Sequence, residues 1–276
     1  MIIIFAGGDA GIYRKLMLEE HVDAVLFSQF YSKNRDIQWF KDFIDQGSKV
    51  FIDSGGFTAR IQGTPISVEE YAEFLERNRA GWTWCANLDV MDPEETLANQ
   101  KYLESKGFDP IPVFHYSEIK LGRKDLMEYY CKNYPYVAIG GVAATVRSAT
   151  IKKQYFDFCF HIALKYKTKL HGFGVTDPDS LLEYPWYSCD STSWIAGSKY
   201  ANIYKFENGG LTTTIVNKQP KDREAFLKLE NPMQYIDRVG EPVTRYKKRC
   251  RQNLQAFRAF QDYVTRLWEK RGISWI

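Results

Sequence analysis

Short continuous apolar runs recur through the first two hundred residues: Ile2 to Ala6, Ala24 to Phe30, Lys49 to Asp53, Trp84 to Asp89, Ile111 to His115, Val137 to Gly140, Leu170 to Val175 and Trp186 to Asp190. Between them apolar side chains return at helical spacing, as Val68, Tyr71, Ala72 and Leu75 do. Unbroken apolar strands alternating with amphipathic helices predict a parallel sheet covered on its outer side. Several helices announce their starts. Ser67-Val68-Glu69-Glu70 is a capping box, Asp92-Pro93-Glu94-Glu95 and Thr176-Asp177-Pro178-Asp179 set an acceptor at the cap with proline in the first turn, and Gly107 is a stop. Eight such alternations within about 190 residues predict an α/β fold of the (β/α)8 barrel type, with an open doubly wound sheet as the alternative.

The pattern changes after Trp194. Ala201 to Thr214 reads as a hairpin turning at Asn208-Gly209-Gly210, the segment to Val239 is polar and irregular, and Glu241 to Lys270 reads as a long helix. On that helix Leu254, Phe257, Phe260 or Gln261, Val264, Leu267 and Trp268 make an apolar stripe, expected to dock on the barrel. The expected organisation is a barrel over residues 1–200 and an extension over 201–276 packed against it.

Charge follows the same division. The chain is +3 overall, but residues 1–200 carry 22 basic and 26 acidic side chains, against 15 and 8 in residues 201–276. An acidic body with a basic tail suits a surface for a polyanion such as nucleic acid, with Lys248, Arg251 and Arg258 as candidate contacts; a solvated basic helix face is the alternative. The five cysteines lie at least 26 residues apart, so no Cys-x-x-Cys pair nucleates a zinc site. Reduced thiols and the absence of a membrane-length apolar run point to a cytoplasmic protein, and Met1 to Ala6 is too short for a signal peptide. The content of 18 Tyr, 18 Phe and 7 Trp is high enough to be compatible with base stacking.

In a barrel the carboxyl ends of all strands share one face, and there the runs are interrupted by Asp53, Asp89, His115, Gly140-Gly141, His171 and Asp190. Phe51-Ile52-Asp53-Ser54-Gly55-Gly56-Phe57 is the most informative run. An acid at a strand end, two glycines that let a ligand approach the backbone and an aromatic ring suited to stacking describe a site for a flat ligand. Each feature also has a plain structural reading: Asp53 to Gly56 as a turn, Asp89 as a cap, the two histidines as satisfied rim residues, Asp190 as an Asp-Ser turn, and Gly140-Gly141 as a phosphate-cradling turn.

Asp53-Ser54-Gly55-Gly56-Phe57, Asp89 within Asn87-Leu88-Asp89-Val90-Met91, Gly140-Gly141-Val142-Ala143, and Gly172-Phe173-Gly174 followed by Asp190 resemble, in order and strand position, the tRNA-guanine transglycosylases. The resemblance covers roughly residues 49 to 195. It implies that Asp190 is the nucleophile, Asp53 the general acid/base and Asp89 the reader of the base's Watson-Crick edge. Ser54, Gly55, Gly56, His115 and the backbone of Gly140, Gly141, Val142 and Ala143 would surround the base, with Phe57 and His171 as opposite stacking walls. The chain departs from those enzymes in lacking their cysteine-rich zinc cluster and in holding Phe114-His115-Tyr116 where they carry glutamine-glycine-glycine. Those absences and the segment Asp190-Ser191-Thr192-Ser193-Trp194 are more similar to the DpdA-type 7-deazaguanine DNA transglycosylases of phages and bacteria.

The resemblance therefore implies a pentosyltransferase that exchanges guanine in DNA for a 7-deazaguanine such as preQ0, with no metal and no other cofactor. Its partners would be nucleic acid and the free base, with a helper protein or a second copy of the chain compatible with the sequence. The alternatives are a tRNA-guanine transglycosylase without zinc, a non-catalytic subunit of such an enzyme, and a barrel enzyme acting on a small phosphorylated metabolite.

Overall fold

The computed structural model describes residues 1–90, 92–142, 146, 148–199, 202–215 and 242–275. The chain divides into two compact units: Ile2–Val175 with Trp186–Asp190, and Met1 with Thr176–Pro185 and Ser191–Ile276.

The larger unit is built on eight parallel strands: β1 (Ile2–Ala6), β2 (Ala24–Ser28), β3 (Lys49–Asp53), β4 (Trp84–Cys85), β5 (Val113–His115), β6 (Tyr136–Gly140), β7 (Lys169–Gly172) and β8 (Ser188–Ser191). They lie in the order β4-β3-β2-β1-β8-β7-β6-β5. A parallel bridge between Ala86 and Ile111 joins the two outer strands. Ile111 N–H donates to Cys85 O at 2.8 Å and Asn87 N–H to Ile111 O at 2.9 Å, so the sheet closes into the expected (β/α)8 barrel.

The strands are apolar on both faces because both faces are covered. Ile4, Ala6, Ala24, Leu26, Phe51, Ala86, Ile111, Val113 and Ala138 fill the interior as one cluster, with Ile2, Trp84, Tyr136 and Phe173 packed at its ends. The alternate residues, such as Ile3 and Phe5 of β1, are equally buried.

Helices α1 (Gly11–Glu19), α2 (Gln29–Ser32), α3 (Gln38–Asp45), α4 (Gly56–Ile61), α5 (Val68–Arg77), α6 (Pro93–Ser105), α7 (Tyr116–Lys120), α8 (Asp125–Asn133) and α9 (Ala149–Tyr166) connect the strands. The capping box at Ser67 forms in both directions, with Glu70 N–H to Ser67 Oγ at 3.1 Å and Ser67 N–H to Glu70 Oε2 at 3.2 Å. Asp92 Oδ1 accepts from Glu95 N–H at 2.9 Å.

Several strands are shorter than their apolar runs, β2 and β4 among them. The run from Ala24 ends at Ser28, whose N–H donates to Asp9 Oδ1 at 3.2 Å, and Gln29-Phe30 turns into α2. The run from Trp84 leaves the ladder after Asn87, because the following backbone is bonded to side chains: Asn99 Nδ2 donates to Leu88 O at 3.0 Å and Val90 N–H to Thr96 Oγ1 at 3.0 Å. Short polar side chains thus take over the backbone partners that a longer strand would have used.

In the smaller unit α10 (Pro178–Glu183) and α11 (Ser193–Lys199) are followed by an antiparallel hairpin, β9 (Asn202–Glu207) and β10 (Gly210–Ile215), and the 29-residue helix α12 (Pro242–Lys270). Glu207 pairs with Gly210, so the turn is Asn208-Gly209, both at positive φ, and Gly210 already belongs to the strand. The stripe on α12 is covered by this hairpin: Phe257 packs on Tyr204 at 5.0 Å between ring centroids and Phe260 on Phe206 at 6.2 Å. Buried Asn253 ties the pieces together, accepting from Tyr204 N–H at 2.7 Å and donating to Trp194 O at 3.1 Å and Ser198 Oγ at 3.0 Å. The polar segment expected up to Val239 and the helix residue Glu241 lie outside the described residues. Among the described residues no helix is long and apolar enough to cross a membrane.

Phe51 is fully buried in the barrel interior and stacks on His171 at 4.9 Å. Phe51→Ala is expected to destabilise the protein by about 3–5 kcal/mol in urea unfolding. A loss below about 1 kcal/mol would mean that this layer of the barrel is not close-packed.

Candidate active site

The carboxyl ends of β3, β5, β6 and β8 and the loops after β4 and β7 surround a cavity of ≈ 270 Å³. Its walls include Asp53, Gly55, Phe57, Asp89, His115, Gly140, Gly141, Phe173 and Asp190, together with Thr58, Arg60, Ser117 and Gly174. The lining is mostly apolar with a few convergent polar groups, the usual form of a small-ligand site.

Tyrosines from the outer helices hold the strand ends beneath the cavity. Tyr71 of α5 donates to Ala86 O at 2.9 Å beside β3, and Tyr155 of α9 donates to Phe114 O of β5 at 2.9 Å. Asp53 ends β3 and accepts from Gly55 N–H at 3.1 Å. Gly55 takes φ +74°, and a Cβ there would meet Ser28 Oγ at 2.5 Å and Phe30 Cβ at 2.6 Å, so a side chain is excluded twice over. The turn delivers Phe57 to the start of α4, where its ring is 45% exposed and free to stack on a ligand. Arg60, one turn later, sits over that ring at 5.6 Å.

Asp89 is carried by the loop after β4, and its Oδ2 is bonded to His115 Nε2 at 2.7 Å. His115 ends β5 and lies across Gly140, where a Cβ would come within 2.8 Å of Nε2. Gly141 has φ +78°, so the glycine pair serves one steric and one conformational need. Asp190 stands on β8, where Oδ1 accepts from Gly174 N–H at 3.1 Å and lies 3.4 Å from His171 Nε2.

Burial sets the protonation of this mouth. Asp53 is pushed up to about 8, first by desolvation and then by the neighbouring Asp89 and Asp190 carboxylates, against a small lowering by Gly55 N–H. Glu118, in the first turn of α7, is likewise raised to about 8 by burial. Burial alone would lower His115, but the bonded Asp89 carboxylate and Glu118 outweigh it and hold the imidazole above its ordinary value. Asp9, after β1, is raised to about 6 by burial while it accepts from Ser32 Oγ and Ser28 N–H.

Most of the residues expected at the site converge here, with four exceptions. Ser54 is fully buried and its hydroxyl accepts from Gly56 N–H at 3.3 Å, while Gly56 packs under Asp89 and Leu88. Val142 is buried away from the cavity lining. His171 is corrected from a stacking wall: it is completely buried, stacked on Phe51 and capped edge-on by Phe173 at 4.6 Å. The ring presented to the cavity from that side is Phe173, because residues alternate inward along a strand and the loop glycines carry the next ring over the top. Ala143 lies outside the described residues. Lys248, Arg251 and Arg258 are partly exposed on α12, whereas Arg249 between them is buried and donates to Ser198 O at 3.2 Å.

Sequence reasoning missed Arg60, whose signal was its spacing three residues after Phe57 on one helix face. It also missed Phe173, which lies within the Gly172-Phe173-Gly174 run but was given no role there, and Asp9 and Glu118, which carried no motif. Among the described residues no three His, Cys, Asp or Glu side chains are placed to hold a metal ion.

No protein-family model and no curated relative matches the sequence. Among solved structures, a putative fructose-1,6-biphosphate aldolase from Coccidioides immitis superposes with a TM-score of 0.54 at 9% identity, over 99% of this chain and 92% of its own. A citrate synthase variant superposes with a TM-score of 0.46 at 8% identity, over 68% of this chain and 84% of its own. The likeness to the aldolase shows the barrel fold. The class defined by fold and site is thus a (β/α)8 barrel with a carboxylate-rich cavity at the carboxyl ends of its strands.

With a folded pKa above the unfolded value of 3.8, Asp53 keeps its proton between about pH 4 and pH 8 while the unfolded chain releases it. Its contribution to stability is complete below pH 4 and is lost as pH rises through 8. Asp53→Asn is expected to reduce the downward slope of unfolding free energy between pH 5 and pH 8 by up to about 1.4 kcal/mol per pH unit, the effect of one proton. Unfolding curves at several pH values read this directly, and an unchanged slope would show that Asp53 is ionised in the folded protein.

Proposed function

We propose that this protein is a base-exchange transglycosylase that replaces guanine in DNA with a 7-deazaguanine through a covalent Asp190-glycosyl intermediate. The observation that carries the reading is the pairing of two carboxyl groups on one base-sized cavity: Asp53, which burial keeps protonated to about pH 8, and Asp190, anchored by Gly174 N–H. A glycosidic exchange needs this division, a proton donor for the departing base and a second carboxylate for the sugar.

In the first half-reaction an Asp190 oxygen attacks C1′ of the deoxyribose as the C1′–N9 bond breaks. The bond's electron pair leaves with guanine, which takes the proton of Asp53. In the second, the incoming base gives its N9 proton to the Asp53 carboxylate and attacks C1′, and the C1′–oxygen bond to Asp190 breaks. Atoms and charges balance with no further reactant.

Phe57 and Phe173 supply flat faces for a base withdrawn from its stack, whose extrusion costs a few kcal/mol. Asp89 accepts N–H groups of the guanine edge, with His115 fixing the carboxylate through the 2.7 Å bond. Gly140 and Gly141 let the base approach the backbone from the far side. The choice of DNA over tRNA rests on the missing cysteine cluster and the segment Asp190 to Trp194. A basic surface including Lys248, Arg251 and Arg258 would take the phosphates.

Asp190→Ala is expected to abolish incorporation of labelled guanine into DNA together with any denaturant-resistant protein–DNA adduct. Persistence of the adduct would remove Asp190 as nucleophile, and label entering tRNA alone would overturn the DNA substrate. Reversing Arg251 and Arg258 to Glu is expected to weaken DNA binding and flatten its dependence on salt by roughly one unit of log–log slope for each phosphate no longer neutralised. An unchanged slope in a fluorescence titration would return α12 to a purely structural role.

A further inference from the structure

Four side chains form a line through the interior of the larger unit. His171 Nε2 lies 3.4 Å from Asp190 Oδ1, His171 Nδ1 lies 2.7 Å from Ser188 Oγ, and Ser188 Oγ lies 2.5 Å from the Tyr136 hydroxyl. His171 and Ser188 are completely buried. The imidazole cannot turn: Phe51 stacks on its face at 4.9 Å, and Phe173 and Tyr136 close on it edge to face at 4.6 Å and 6.5 Å.

Counting donors gives this line a direction. Tyr136 has Ser188 as its hydrogen-bond partner among the described residues, so its phenol proton has an acceptor when it points to Ser188 Oγ. Ser188 owns a single proton, which then goes to His171 Nδ1. An imidazole that accepts at Nδ1 carries its own proton at Nε2. Nε2 is buried without a hydrogen bond of its own, and the carboxylate facing it is that of Asp190. A buried N–H aimed at an acceptor just beyond bonding distance needs only a small closure to be satisfied.

We propose that Tyr136, Ser188 and His171 are positioning residues that hold an Nε2–H against Asp190 Oδ1. Together with Gly174 N–H this places two donors on one carboxylate oxygen and directs Oδ2 toward the cavity as the attacking atom. His171 acts through Asp190 and touches no substrate. The directional effect on catalysis rests on the reading of Asp190 as the nucleophile; the proton arrangement does not.

Long-range 1H–15N spectra of the full-length protein labelled in histidine separate the two neutral tautomers and the imidazolium. His171, identified as the signal that Ser188→Ala moves, is expected as the neutral Nε2–H tautomer at pH 7. An Nδ1–H tautomer or an imidazolium would reverse the bond to Ser188 and overturn the relay. Tyr136→Phe, which deletes one hydroxyl, is expected to slow adduct formation with DNA by about five- to tenfold, the scale of one hydrogen bond, at unchanged KM for free guanine. An unchanged rate, or a loss confined to KM, would overturn the positioning role. Should the wild-type protein form no adduct with nucleic acid, base exchange fails as the reading while the tautomer still decides the relay.

Discussion

Carboxyl groups forced together in a desolvated barrel mouth are the constraint on which the rest of the site depends. Asp53, Asp89 and Asp190 open onto one cavity, and three charges there would repel across a medium that screens poorly. The structure relieves this by pairing Asp89 with a histidine and by desolvating Asp53 beside its two neighbours, so that Asp53 keeps the proton. The different protonation of Asp53 follows from desolvation and from neighbouring charge, without any difference in the side chains themselves.

The supporting residues follow the same logic one layer out. His115 is held between Asp89 and the buried Glu118, and it fits only because position 140 has no side chain. His171, which lies under the cavity, is fixed by aromatic rings and by Ser188 with its Nε2 toward Asp190. Two histidines at strand ends therefore sit differently: His115 lines the cavity and pairs with Asp89, and His171 is buried with its Nε2 toward Asp190.

The barrel was legible because its strands must be apolar on both faces and its helices must be capped. Ser67, Asp92 and Asp177 start helices where the sequence puts them. The cavity was legible as far as a polar residue at a strand end marks the open face, which holds for Asp53, Asp89, His115 and Asp190. It failed at His171, because one step along a strand moves a ring between interior and rim and an apolar run carries no mark of where the rim begins. Outside the cavity lining, the burial of Glu118 and Asp9 was not legible either, because it arises from neighbours far away in the chain.

The alternation of elements, the hairpin at Asn208-Gly209 and the presence of carboxylates at the strand ends were determined by the sequence alone, since periodicity, turn conformation and ionisable groups are local properties. Tertiary structure decided which acid keeps its proton, which ring faces the cavity and which histidine is hidden. Desolvation, charge repulsion and donor direction depend on distances between strand ends that only closure of the barrel sets, through pairings as small as the bridge between Ala86 and Ile111.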